Sequence, residues 1–337
     1  MTALDSETDA RLEALDRFGT NASSFLALNA GNQYHAEPGL PGFVPYRSSG
    51  RVWVQFGGPV AAPESRADLL GSFLERARSS RARVLGVQLL REDAELQGRY
   101  GFHCNQFGSS YSVELASFTM RGQQFVKTRN MISRARRDGV TAGEAGRDEG
   151  FETGPELDAQ LDEVDARWLR DKGRFVKELR FFVGERTGPL QPLRRVFVAR
   201  TNGRTDAYVT YSPVRGSQPG WLYDLTRRRP DGGRGAIELL FGMAAERMRD
   251  DSDKWLHLGL TPFVGLDPAH ELDCRHKSAA RSIRLLAEHG SHLYPAATQL
   301  AFKRKWRPQL ETPEYLTFRG RLGLRDVWSL MKVANLI

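Results

Sequence analysis

The sequence predicts an α/β (α+β) fold with mixed sheets flanked by helices. Three observations predict it. Short segments of period 2 alternate with segments of helical spacing. A strand, a glycine-containing turn and a helix follow one another in both halves of the chain. Heptads, low-complexity runs and long linkers are missing, which argues against a bundle or a sandwich.

The elements read in order as follows. Residues 1–20 are a polar lead-in with a short helix from Thr8 to Phe18. Pro38-Gly39-Leu40-Pro41-Gly42 is a turn. Val52, Val54 and Phe56 alternate with Arg51, Trp53 and Gln55 as a strand, which Gly57-Gly58-Pro59 ends. Between Glu64 and Ser80, Leu70, Phe73, Leu74 and Ala77 share one helical face. Val84 to Leu90 is a buried strand, and Tyr111 to Ala116 an alternating one. Phe125 to Asp138 is a basic helix. Leu157, Leu161, Val164 and Trp168 make one apolar helical face, with Pro155 suited to its first turn. Strands Arg194–Arg200, Asp206–Tyr211 and Trp221–Leu225 follow. The turn Asp231-Gly232-Gly233-Arg234-Gly235 opens a helix bearing Ile237, Leu240, Phe241, Ala244 and Met248. Strand Trp255–Leu260 and helix Ser278–His289 come next. The length, 337 residues, predicts two domains, divided here as 1–120 and 155–337 with a connecting basic segment, 121–154.

Composition narrows the function classes. With 40% apolar and 27% charged residues the chain builds a core and is neither disordered nor a disulfide scaffold. No apolar run is long enough to span a bilayer, and the acidic, polar start is unlike a secretory signal, so a cytoplasmic location is expected. Cys104 and Cys274 lack metal-ligand spacing and read as two reduced thiols. Residues 1–120 carry 11 basic and 13 acidic side chains, whereas 121–337 carry 38 and 28. A basic C-terminal two-thirds predicts an anionic partner: nucleic acid, a membrane surface or a phosphorylated substrate.

Three constellations could serve that partner. Arg121, Lys127, Arg129, Arg134, Arg136 and Arg137 lie in seventeen residues without an acid, a stripe able to neutralise several phosphates or simply a solvated face. Gly232, Gly233 and Gly235 follow a strand and precede a helix. Backbone N–H groups there can bind an anion, and the placement resembles the pyrophosphate loop of GNAT-fold acetyltransferases. In Phe302-Lys303-Arg304-Lys305-Trp306-Arg307-Pro308, cations flank an aromatic that could stack on a base; a basic edge strand is the other reading. The motifs H-E-x-x-H, C-x-x-C and G-x-S-x-G are missing. His257 reads as a satisfied core histidine, and His270, His276, His289 and His292 do not suggest a metal site.

Five stretches together resemble the catalytic domain of phosphatidylglycerol lysyltransferases and their soluble relatives, the tandem-GNAT aminoacyl-tRNA-dependent transferases. They are residues 39–46 with 52–60; Ser117-Phe118-Thr119 leading into residues 130–139; Tyr223-Asp224-Leu225-Thr226-Arg227 with Pro230, Gly235 and Glu238-Leu239-Leu240-Phe241; residues 258–265; and residues 302–308 with Glu314-Tyr315-Leu316. The resemblance spans roughly residues 25–318, and departs at Leu310, where those enzymes usually carry tryptophan. It implies two tandem GNAT-like domains, an aminoacyl-tRNA donor and no cofactor, with acetyl-CoA as the alternative donor. The implied partners are charged tRNA and a small soluble acceptor, as in antibiotic pathways; DNA is not expected. An aminoacyl ester is already activated, so the protein must orient the reactants, stabilise an oxyanion and manage one proton.

By the same resemblance, Asp224 would hold the α-ammonium or orient the acceptor, and Arg227 would bind phosphate or the oxyanion. Glu238 would be a second carboxylate in that cleft. Tyr223, Thr261 and Tyr315 would line the substrate site, the tyrosines as a proton relay. Lys303, Lys305 and Trp306 would bind tRNA together with the basic helix. A lipid acceptor, an acyl-CoA-dependent N-acyltransferase and a non-catalytic tRNA-binding protein are the alternatives. The tail Leu322 to Ile337 could lie on a membrane, but its low basic charge favours a helix that closes the core.

Overall fold

A computed structural model describes residues 5–173, 180–289 and 296–337. The chain begins with α1 (Ser6–Phe18), capped by Asp5, whose side chain accepts from Thr8 N–H, and strands β1 (Gln33–Glu37) and β2 (Leu40–Ser49). Strands β3 (Val52–Phe56) and β4 (Val60–Ala61), helix α2 (Arg66–Ser79), strand β5 (Arg83–Leu89), helix α3 (Arg91–Arg99) and strand β6 (His103–Glu114) follow. Next come α4 (Val126–Arg137), β7 (Val140–Glu144), α5 (Pro155–Lys172), β8 (Arg195–Thr201), β9 (Arg204–Val214) and β10 (Gly220–Arg228). The chain ends with α6 (Ala236–Asp250), β11 (Trp255–Pro262), α7 (Lys277–His289), α8 (Ala296–Lys305), β12 (Leu310–Phe318) and α9 (Leu324–Val333).

Two local expectations change. The turn is confined to Pro38-Gly39, and residues 40–42 open β2. Gly42 takes φ +125°, and a Cβ there would lie 2.1 Å from the Val60 carbonyl oxygen, so glycine is what lets β4 pair with β2. Helix α3 was not foreseen because its inward face is polar. Asp93 pairs with Arg66, and Gln97 donates to Gln55 while accepting from Thr317. The stretch 302–308, read as a possible edge strand, is instead the end of α8 and the turn after it.

Eleven strands form one path, β1-β2-β3-β5-β12-β6-β11-β10-β9-β8-β7, with β4 pairing β2 beside it. Strand β12, late in sequence, lies between β5 and β6 and pairs antiparallel with both. Each half carries one parallel crossover, β3-α2-β5 and β10-α6-β11. The two differ in one respect that positions the site. Strands β3 and β5 stay in register from Val52↔Arg83 to Phe56↔Val87. Strands β10 and β11 pair only from Gly220↔Trp255 to Leu222↔His257 and then part. The N-terminal crossover is closed and the C-terminal one is open.

One face of the C-terminal half is covered by α6, whose Leu240, Phe241, Ala244 and Met248 are fully buried against Tyr211, Phe197 and Val209. The other is covered by α5, through Leu157, Leu161 and Val164 against Val196, Val198, Tyr208 and Leu225. Among the described residues, no helix is long and apolar enough to cross a membrane.

His257 is a core histidine, 1% exposed. Its Nδ1 lies 2.8 Å from Ser112 Oγ and its Nε2 3.0 Å from the Gln218 carbonyl. Burial lowers its pKa to about 4, although the Gln218 carbonyl pulls the other way. The unfolded chain therefore binds a proton here that the folded chain refuses, between about pH 6.5 and 4. Stability from neutral His257 is complete above pH 6.5 and is lost as pH falls through 4, roughly 3 kcal/mol in all. Urea unfolding across that window should show His257→Gln losing less stability on acidification than the wild type; parallel curves would exclude the histidine. Cys104 and Cys274, distant in sequence, are both free thiols, and the Cys104 N–H donates to the Cys274 carbonyl.

Candidate active site

Asp224 sits two residues beyond the last paired residue of β10, where that strand leaves β11. Its side chain faces away from Tyr223, as alternation along a strand requires. Tyr223 packs with Tyr211 and Phe241 on the α6 side, while Asp224 bonds to Ser212 on the other. One carboxylate oxygen accepts from Gly184 N–H at 2.5 Å, the other from Ser212 Oγ at 2.6 Å. A Cβ at Gly184 would lie 1.7 Å from Asp224, so only glycine fits there.

Beneath this carboxylate lies Arg194, 7% exposed. Its Nε donates to Ser212 Oγ at 3.1 Å, its Nη2 to Asn29 Oδ1 at 3.2 Å, and its guanidinium stacks over Phe25. Burial raises the pKa of Asp224, and the Ser212 hydroxyl, Arg194, the Gly184 amide and Arg227 work against it. Burial likewise lowers that of Arg194, and Asp224 opposes it. Each charge is tolerable because the other is present. Arg227 is also buried, 4.0 Å over the Trp168 ring and with Nε 3.6 Å from Asp165 Oδ1. Among the described residues each oxygen of Asp224 accepts one hydrogen bond, of the two a carboxylate oxygen can take. The site can therefore hold an ammonium or align a hydroxyl beside fixed positive charge. Arg194, Ser212 and Gly184 were not foreseen; the β8–β9 and β9–β10 pairings and the 180–190 segment bring them in from 12 to 40 residues away.

The other expected residues divide. Glu238 does not lie beside Asp224. It lies in the first turn of α6, on the opposite face of the sheet, with Oε1 2.7 Å from Lys305 Nζ. Lys305 is accordingly half of an ion pair. Trp306 is fully buried and stacks on Phe241 at 3.8 Å, so it offers no base-stacking surface. Lys303 is also buried, donating to the carbonyls of Gly259 at 2.6 Å and Leu260 at 3.0 Å. These oxygens are free because β11 has left β10 and is irregular against β6 between His257 and Leu260. Lys303 and Trp306, three apart, point inward, while Arg304 and Arg307 point outward. The outward pair lines an open cleft of about 370 Å³ with Tyr111, Pro308, Gln309 and Glu311.

Burial brings the Lys303 ammonium down to about 7, with Glu314 pulling it back up. Burial also pushes Glu314 up to about 7, against the Ser110 hydroxyl and Lys303. Burial thus works against both charges, and each one moderates that effect on the other. Thr261 is wholly buried beside this couple in the β6–β11 ladder, and its Oγ1 has no partner among the described residues. The tyrosines are core residues rather than a relay. Tyr315 is fully buried and donates to the His270 carbonyl at 2.7 Å. Tyr223 is pressed between Phe241 and Phe302 and accepts from Thr226, and burial raises its pKa.

The basic helix α4 buries only Thr128, Ile132 and Ala135 and exposes Lys127, Arg134, Arg136 and Arg137. Arg129 is turned inward to the carbonyls of Met120 and Gly122. Arg134 reaches Asp138 at 3.6 Å. The helix touches the glycine turn. At Gly235, φ +81°, a Cβ would lie 2.5 Å from the Met131 carbonyl oxygen. At Gly233 it would lie 2.6 Å from Val140, and at Gly232 3.1 Å from the Arg229 carbonyl oxygen. Packing against protein accounts for Gly233 and Gly235, which therefore need no bound phosphate to explain them. His270 and His276 lie apart from this region, His276 packing edge-on to His103; His292 falls outside the described residues.

A family model described as phosphatidylglycerol lysyltransferase, C-terminal, matches residues 12–318. A phosphatidylglycerol lysyltransferase of Bacillus subtilis is 24% identical over 314 residues, covering 92% of this chain and 35% of its own length. An uncharacterised Corynebacterium glutamicum protein is 23% identical over 316 residues, covering 90% of this chain and 38% of its own. The chain thus spans little more than a third of these relatives. Among solved structures, the C-terminal DUF2156 domain of an Agrobacterium fabrum protein superposes with TM-score 0.77 at 24% identity, covering 98% of this chain and 96% of that one. L-PGS from Bacillus licheniformis superposes with TM-score 0.75 at 20% identity, covering 98% and 97%.

Proposed function

The chain belongs to the family of phosphatidylglycerol lysyltransferase C-terminal domains, and from that premise we propose that it transfers an aminoacyl group from charged tRNA to the hydroxyl of a lipid head group. The observation that carries the chemistry is Asp224, a buried carboxylate just past the point where β10 and β11 part, held by Gly184 and Ser212 beside Arg194 and Arg227. In the reaction the acceptor oxygen attacks the ester carbonyl, the ribose oxygen of the tRNA leaves, and one proton passes from acceptor to leaving group. Asp224 would position the α-ammonium or the attacking hydroxyl, and Arg227 would offset the charge developing on the carbonyl oxygen. The name of the Bacillus subtilis relative favours phosphatidylglycerol over the small soluble acceptor that the sequence suggested. The exposed cations of α4 would take the tRNA backbone.

A transfer assay separates the readings. The full chain is incubated with labelled aminoacyl-tRNA and phosphatidylglycerol vesicles, and the lipid extract is counted. Label in the lipid supports the proposal. Label only in small aqueous products, supplied by a cell extract, would replace lipid with a soluble acceptor. Acetyl transfer from acetyl-CoA with no response to RNA would sink the tRNA donor.

The tRNA surface has its own test. Arg134→Ala with Arg136→Ala removes two exposed cations without touching the core. Affinity for charged tRNA should fall, and the slope of log affinity against log salt should become shallower by roughly one to two. An unchanged slope would move the tRNA away from α4.

A further inference from the structure

Helix α9 has its polarity reversed. The residues it turns toward the protein include Asp326 and Ser329, both buried, with Val333 and the partly buried Leu330 on the core. Asp326 is held by Arg83 at 2.8 Å and by the helix's own first turn. The residues it turns to solvent are apolar: Leu324 is 91% exposed, Trp328 60% and Val327 44%, with Leu336 just beyond the helix at 52%. At 100° per residue, Leu324, Val327, Trp328 and Met331 fall within one third of the circumference. Arg325 and Lys332 lie along one edge of that stripe, and Arg321 precedes it, all exposed. With Asp326 buried in its pair, every exposed charge from residue 319 to 337 is positive. The expectation that this tail closes the core holds for its inner face only.

An exposed apolar stripe with a tryptophan, rimmed by cations and with no exposed acid, matches the interface of a bilayer carrying negative lipids. We propose that α9 seats this chain on an anionic membrane, lying in the plane of the head groups with Leu324, Val327 and Trp328 inserted. The surface is separate from Asp224, and the inference holds whatever the acceptor is.

The test is co-sedimentation of the full chain with vesicles of phosphatidylcholine alone or with about a third phosphatidylglycerol. The expected result is partition onto the anionic vesicles only, weakening as salt rises. Leu324→Ser with Trp328→Ser should lower that partition at least about ten-fold, since it removes most of the inserted area. Its melting temperature should stay unchanged, because both side chains already face water. Arg325→Glu with Lys332→Glu should lower partition and flatten its salt dependence. Failure of the wild type to bind anionic vesicles at low salt would overturn the proposal. So would equal binding by the serine variant, or a wild-type dimer in solution that the serine variant converts to monomer.

Discussion

Asp224→Asn is expected to lower aminoacyl transfer by roughly 10²–10³-fold at saturating substrate while leaving a cooperatively folded chain. Asparagine keeps the size of the side chain. Its carbonyl can still accept from Gly184 N–H, and its amide can face Ser212 Oγ, so the local frame survives. What it loses is the negative charge between Arg194 and the substrate. An ammonium would then meet Arg194 without its nearest counter-charge, and a hydroxyl would lose its acceptor. Some stability should go too, because Arg194 remains buried without Asp224. Turnover must therefore be measured well below the unfolding transition. Ser212→Ala is the control: it removes one hydrogen bond to Asp224 but keeps the charge, and should cost at most about ten-fold. If Asp224→Asn retains transfer within ten-fold of wild type, the carboxylate is only a strut for the 180–190 segment. A kcat loss with unchanged tRNA affinity is what a strut alone would not produce.

The contrast between Asp224 and its surroundings shows where sequence reasoning reaches. Period and turn chemistry are local, and they identified α2, β3, α4, α5 and α6 within a few residues. They missed α3 because its buried face is Asp93 and Gln97, polar groups whose partners, Arg66, Gln55 and Thr317, lie elsewhere in the chain. They could not see that β10 and β11 part while β3 and β5 do not, since register is a property of paired strands. The same holds for Arg194 and Ser212, which reach Asp224 across a ladder. Lys303 and Trp306 were misplaced for a different reason. A run of cations reads as surface, but the run is the end of a helix, and i, i+3 spacing turns those two inward. On α9 the composition was visible, while the face it presents depended on Asp326 finding Arg83.

Trp306→Ala separates the two meanings of that aromatic. As a core residue it is wholly buried, its ring 21° from parallel with Phe241 and edge-on to Phe302, which in turn stacks on Tyr223. Truncation leaves a large cavity where the end of α8 packs on α6. The expected loss is about 3–5 kcal/mol of stability, read as a lower urea midpoint with little change in slope. Trp306→Phe should recover a good part of it, since one ring still packs on Phe241. A base-stacking platform would behave oppositely. Its loss would leave the urea midpoint in place and weaken tRNA binding by the roughly 1–3 kcal/mol that one stacked base contributes. A stable Trp306→Ala protein with impaired RNA binding would return Trp306 to the surface. A destabilised one whose folded fraction still binds tRNA would leave the outward Arg304 and Arg307 as the cations of this run that face a partner.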